Sequence, residues 1–173
     1  MALRVLLTEE QIQRRVREMG AQIAADYPEG SLHLVCILKG ACFFLADLAR
    51  AIERDTFVDF MGISSYGRGK KTSGEVRVTK DLDHSVESAH VLIVEDIVDS
   101  GLTLSYLAHL LQQRRPRSVR IAALLDKPDR RLRPVDVAYV GFAIPDEFVV
   151  GYGLDYAERY RNLRDVCVLE ETP

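Results

Sequence analysis

The chemistry-bearing residues gather in one short stretch. Glu95, Asp96, Asp99, Ser100, Gly101 and Thr103 follow directly on the apolar run Val91-Leu-Ile-Val94. Such a run would deliver two carboxylates to its carboxyl end, after which Asp99-Ser-Gly-Leu-Thr103 turns into a helix. Gly101 lets backbone approach a ligand closely. Free N–H groups at a helix start, with the Ser100 and Thr103 hydroxyls, make an anion site. Carboxylates beside a phosphate repel it unless they hold sugar hydroxyls or a Mg²⁺ that carries the counter-charge. Together these features point to the phosphate and sugar of a phosphorylated ribose. The bland alternative is a strand, a tight turn and an N-capped helix with solvated acids.

Stepping outward, the elements that would position these residues alternate between strand and helix. Thr8 can cap a helix that Glu9 and Glu10 favour, with Ile12, Val16, Met19 and Ile23 at helical spacing as far as Ala25. Ser31 to Leu38 reads as a buried strand, Lys39-Gly40 interrupts it, and Ala41 to Glu53 reads as a helix. Strands follow over Thr56 to Ser64 and Val76 to Thr79, separated by a loop rich in Gly and Lys. Val91 to Val94 is apolar throughout, as in a strand covered on both faces. Leu102 to Gln113 predicts a helix, and Val119 to Leu125 and Val135 to Phe142 predict strands. Phe148 to Leu169 predicts short strands and loops. The class is α/β, with a central, mainly parallel twisted sheet flanked by helices. Ligands of such sheets bind beyond the carboxyl ends of the strands. Lys39-Gly40, Glu95 to Thr103 and Asp126-Lys127 all fall there.

Composition agrees. A chain of 173 residues suits one domain and buries roughly 70% of the surface it exposes when unfolded. With 23 basic and 26 acidic residues the net charge is -3, which disfavours general binding to nucleic acid or anionic membranes. No apolar run reaches the roughly 18 residues of a membrane helix, and Met1 to Glu10 does not read as a secretion signal. Cys36, Cys42 and Cys167 lie in apolar surroundings without a C-x-x-C pair. Reduced thiols in a cytoplasmic protein are the simplest reading.

Val91 to Thr103 resembles the phosphoribosyl-pyrophosphate (PRPP) signature of type I phosphoribosyltransferases: four apolar residues, two acids, two apolar residues and a small polar loop ending in Thr. Leu38-Lys-Gly-Ala41, Ser65-Tyr66, Leu125-Asp-Lys-Pro128 and Ile144-Pro-Asp-Glu-Phe-Val-Val-Gly-Tyr-Gly-Leu-Asp-Tyr156 are similar to the hypoxanthine-guanine branch, in that branch's order. The resemblance implies a single domain over 1–173, its core over about 30–145, with a small hood from about 1–10 and 145–173. It implies a Mg²⁺-dependent purine salvage reaction in which PRPP and a 6-oxopurine give IMP or GMP and pyrophosphate. It also implies a homodimer or homotetramer.

It further implies a role for each residue. Asp99 faces N7 of the purine and takes its proton. Glu95 and Asp96 hold the ribose hydroxyls, partly through Mg²⁺, and both reach one ribose only if the strand has ended. Ser100, Gly101, Leu102 and Thr103 hold the 5′-phosphate, although an apolar Leu102 contributes backbone alone. Lys39-Gly40 matches the pyrophosphate loop, where the family often carries a cis peptide, and Arg161 matches a second pyrophosphate contact. Lys127 donates to the purine 6-oxo group, Phe148 stacks on the base, Val149 reads the purine edge through its backbone, and Asp155 matches a further Mg²⁺ contact beside the purine. Ser65 and Tyr66 begin a loop that closes over the site. The Pro-Asp-Arg-Arg spacing does not say whether Arg130 or Arg131 supports the pyrophosphate side. Two alternatives share the fold: a xanthine-preferring relative, and a regulator of pyrimidine genes that binds RNA. Such a regulator needs a basic face, for which Arg114, Arg115, Arg117 and Arg120 form the one dense cluster.

Overall fold

The computed structural model describes residues 2–65 and 76–170. Its central sheet is built on five parallel strands: β2 (Leu32–Leu38), β3 (Phe57–Ser65), β5 (His90–Val98), β6 (Ser118–Asp126) and β7 (Tyr139–Ala143). A sixth strand, β4 (Val76–Lys80), joins antiparallel at one edge, and the spatial order is β4-β3-β2-β5-β6-β7. Alternation along each strand supplies two cores. Leu34, Cys36, Leu92, Val94 and Leu124 face α1 (Glu9–Asp26) and α2 (Cys42–Ala51). Val35, Ile37, Val91, Ile93 and Ile121 face α3 (Leu102–Gln112). A sheet buried on both faces needs the continuous apolar runs seen in these strands.

Thr8 caps α1 in a reciprocal capping box with Gln11. The N-terminal residues Ala2–Leu7 form a strand, β1, that the sequence reading did not foresee. It pairs antiparallel with β9 (Val166–Glu170), which in turn pairs with β8 (Val149–Val150), so the two ends of the chain make a second, three-stranded sheet. The strand expected over Val135 to Phe142 is shorter than that reading, because β7 starts only at Tyr139 and runs to Ala143. Val135 and Val137 instead pack from an irregular segment against the core on the α3 side. Among the described residues no helix is long and apolar enough to cross a membrane.

Candidate active site

Because β2, β3, β5, β6 and β7 run parallel, their carboxyl ends line one edge of the sheet, and the loops leaving that edge carry the candidate residues. β5 extends further than its apolar run suggests. It continues through Glu95 and Asp96 to Val98, so the acids do not lie past the strand end. They nonetheless line the same cavity of ≈ 200 Å³, together with Asp99, Ser100, Gly101 and Thr103. The expectation that the strand ends ahead of both acids does not hold, since β5 stays paired with β6 as far as Val98. The Asp96 N–H donates to Glu95 Oε1 at 3.1 Å, and the Ile97 N–H donates to Asp96 Oδ1 at 2.7 Å. Burial raises the Glu95 carboxyl well above the usual range, and the Asp96 charge raises it further. Burial also raises Asp96, although the bond from Ile97 and the nearby Arg161 oppose the rise. A buried Glu95 and a half-buried Asp96, both pushed toward neutrality, form a site that a cation or sugar hydroxyls would satisfy.

The loop after β5 turns at Gly101, whose φ of 81° is left-handed. A side chain there would run into the Arg133 carbonyl and Val135. The segment behind it braces the turn: the Leu132 and Arg133 N–H groups both donate to Ser100 O, at 2.9 and 3.1 Å. Arg131 donates to the Asp99 carbonyl at 2.8 Å and pairs with Asp126. Leu102 begins α3 with an exposed side chain that does not line the cavity, leaving it a backbone contribution only.

Asp99 projects from this loop and pairs with Arg130 Nε at 2.9 Å. Arg130 also lies 3.5 Å from Asp146, and Asp146 lies 3.6 Å from Lys127 Nζ. Lys127 is buried behind the end of β6, where its N–H donates to Val98 O at 2.9 Å. One chain of charges thus joins Asp99 to Lys127. Phe148 is 53% exposed and sets its ring edge-to-face on Tyr156, with centroids 5.8 Å apart. Val149 is buried in β8.

Lys39 and Gly40 follow β2 as expected. The cis bond precedes them, between Leu38 and Lys39. Gly40 is pressed between Asp96 and Gly153: a side chain on Gly40 would occupy the position of Asp96 Oδ2, and one on Gly153 would occupy that of Gly40 O. Gly153 has φ 99°. Its carbonyl accepts from Arg161 at 2.8 Å, and Arg161 pairs with Asp155 at 2.9 Å. Lys39 reaches Glu158 at 3.1 Å. Asp155 therefore faces Arg161. Among the described residues no group of three or more His, Cys, Asp or Glu side chains is assembled to hold a metal ion. Ser65 ends β3, and Tyr66 lies outside the described residues.

The sequence reading left Arg130 and Arg131 undecided and gave no role to Asp146 or Gly153. Arg130 ends a short 3-10 helix and Asp146 lies in a loop, and only the fold brings them to Asp99 and Lys127. Gly153 carried a signal, since Gly151-x-Gly153 inside an otherwise apolar segment marks a special backbone or a close approach.

Comparison with known proteins agrees with this geometry. Residues 5–157 match the family described as phosphoribosyl transferase domain. The hypoxanthine-guanine phosphoribosyltransferase of Bacillus subtilis (strain 168) is 51% identical over 167 residues, covering 96% of this chain and 93% of that protein. The protein of the same name from Mycobacterium tuberculosis (strain ATCC 25618 / H37Rv) is 55% identical over 172 residues, covering 96% and 85%. A crystal structure of a hypoxanthine phosphoribosyltransferase from Staphylococcus aureus superposes with a TM-score of 0.93 at 50% identity, covering 96% of this chain and 90% of that one. A match over most of the chain, with the acids, the phosphate loop and the lysine at one sheet edge, places the chain in the phosphoribosyl transferase family.

Proposed function

We propose that the protein is a purine salvage enzyme that transfers the 5-phosphoribosyl group of PRPP to hypoxanthine or guanine, giving IMP or GMP and pyrophosphate. The convergence of three loops at one sheet edge carries this reading: the phosphate loop after β5, Lys39-Gly40 after β2 and Lys127 after β6. Relatives at about half identity, named for this reaction, support it.

In this reading the 5′-phosphate sits in the Ser100–Thr103 turn, on backbone N–H groups and the Ser100 and Thr103 hydroxyls. Glu95 and Asp96 take the ribose hydroxyls. Lys39, Gly40 and Arg161 bracket the departing pyrophosphate. Phe148 lies over the purine, and Val149 reads its edge. Lys127 donates to the 6-oxo oxygen, a contact that adenine cannot accept. Asp99 takes the N7 proton as the ring attacks, and for this its carboxylate gives up part of its bond to Arg130. Ser65 and Tyr66 open the loop that would shut water out.

Mg²⁺ commonly binds through one or two carboxylates plus substrate phosphates and keeps several waters. The Glu95–Asp96 pair fits that mode, Asp155 beside Arg161 would supply a further contact, and a bound Mg²⁺ would offset the charge of the pyrophosphate. The Arg114 to Arg120 cluster gives an RNA-binding reading little support, since Arg114 pairs with Asp81 at 2.7 Å, Arg115 with Glu87 at 2.9 Å, and Arg120 lies over the Tyr27 ring.

The test is to mix protein, PRPP and hypoxanthine with and without Mg²⁺ and to quantify IMP and pyrophosphate. Equimolar products that vanish with a chelator are expected. Absence of IMP at saturating Mg²⁺ contradicts the assignment.

A further inference from the structure

Behind the pyrophosphate side of the site lies a polar knot with no part in the chemistry above. Tyr152 is 6% exposed. Its hydroxyl donates to Asp47 Oδ2 at 2.5 Å, and Gln13 Nε2 donates to the same oxygen at 2.6 Å. Arg50 closes the other carboxylate oxygen at 2.5 Å. Burial raises the Asp47 carboxyl, but the bonds from Tyr152, Gln13 and Arg50 outweigh it and hold the group below its usual range. The same burial and the bond to Asp47 push the Tyr152 hydroxyl up, so it remains a donor.

The knot joins two segments that meet again in the cleft. Asp47 stands on α2, the helix that follows Lys39-Gly40 directly and whose first N–H donates to Lys39 O at 3.2 Å. Tyr152 sits between Gly151 and Gly153 in a run of three left-handed residues, with φ of 97°, 48° and 99°. A tyrosine at positive φ is strained and persists where its surroundings impose the conformation. The next residue, Gly153, lies against the Gly40 carbonyl and carries Arg161 through two bonds, Gly153 N–H to Arg161 O at 3.0 Å and Arg161 to Gly153 O at 2.8 Å. Any movement of Tyr152 therefore moves Gly153 and Arg161 relative to Lys39-Gly40.

We infer that Asp47 and Tyr152 are positioning residues for the pyrophosphate moiety: their hydrogen bond fixes the gap between Lys39-Gly40 and Arg161. The inference rests on the pyrophosphate site proposed above. Neither residue touches substrate. The clamp acts on one half of the cleft, because Lys127 follows β6 and Phe148 is held ahead of β8 by the Leu169 N–H, which donates to Phe148 O at 3.0 Å.

Tyr152→Phe removes one oxygen and leaves the ring packed, while Asp47→Asn keeps the shape of the acceptor. For both variants KM is measured for PRPP and hypoxanthine in the forward direction, and for pyrophosphate and IMP in reverse. A roughly tenfold rise for PRPP and pyrophosphate is expected, the size of one lost bond to a charged group. KM for hypoxanthine should change less than about twofold, and the double variant should be no worse than the weaker single one. A parallel rise in every KM, or unshifted values for PRPP and pyrophosphate with only a lower Tm, overturns the clamp. Should Asp47→Asn not fold, Tyr152→Phe decides alone. Wild-type protein that makes no IMP sinks the underlying reading as well, whereas normal wild-type turnover with unshifted KM in Tyr152→Phe sinks the clamp alone.

Discussion

Asp99 stands in the loop after β5 with Arg130 at 2.9 Å, a pair that solvent reaches on both sides. Exposed pairs of this kind contribute at most about 1 kcal/mol, so a purine can compete for the carboxylate without a large penalty. Asp99→Ala is expected to lower kcat by roughly 10²–10⁴-fold with unchanged circular dichroism, and an unaltered kcat would remove Asp99 as the base. Lys127→Ala should raise kcat/KM for adenine relative to hypoxanthine, and an unchanged ratio would refute the 6-oxo contact. At this scale the sequence was informative where residue type and spacing coincide, as in Glu95, Asp96, Asp99 and Lys127. It left open what depends on a turn. Arg130 and Arg131 are neighbours in sequence, yet the short 3-10 helix at Pro128–Arg130 sends one to the Asp99 side chain and the other to the Asp99 carbonyl.

The elements were legible wherever burial imposes a pattern. β2, β5 and β6 are apolar on both faces, and α1 announces itself by its cap and its stripe. β5 outran its apolar signal because a parallel neighbour, β6, keeps bonding to it up to Val98–Asp126, whatever the side chains. β1 escaped notice because its side chains are mostly exposed and its partner lies at the far end of the chain. Two tests belong here. Gly153→Ala places a methyl on the Gly40 carbonyl at a φ that L-residues avoid, so chemical denaturation should show a loss of about 1–3 kcal/mol. Asp47, whose carboxyl is lowered on folding, contributes stability above the ordinary carboxylate value, and that contribution disappears as pH falls through the lowered value. The urea midpoints of wild type and Asp47→Asn should thus differ most near neutrality and converge below about pH 4. A gap that stays constant across pH would mean that Asp47 acts through shape rather than charge.

At the scale of the molecule, the parallel sheet aligns five strand ends, and the segment leading into β8 of the small sheet reaches Lys127 through Asp146, two residues before Phe148, at 3.6 Å. Strand-helix alternation made the large sheet legible, but nothing in the N-terminal residues points to their pairing with Val166–Glu170. Arg4 links the two ends, at 2.6 Å from Glu147 and 2.7 Å from Glu170, with both pairs exposed to solvent. The β1–β9 backbone ladder rather than charge must therefore join the ends, and Arg4→Ala should shift unfolding by less than about 1 kcal/mol. In the proposed reading the cleft is built for a 6-oxopurine and PRPP. Offering hypoxanthine, guanine, xanthine, adenine and uracil together with PRPP and Mg²⁺, and weighing the nucleotides formed, decides it. IMP and GMP without AMP or UMP is the predicted result, and a product from uracil or adenine with none from a 6-oxopurine would contradict it.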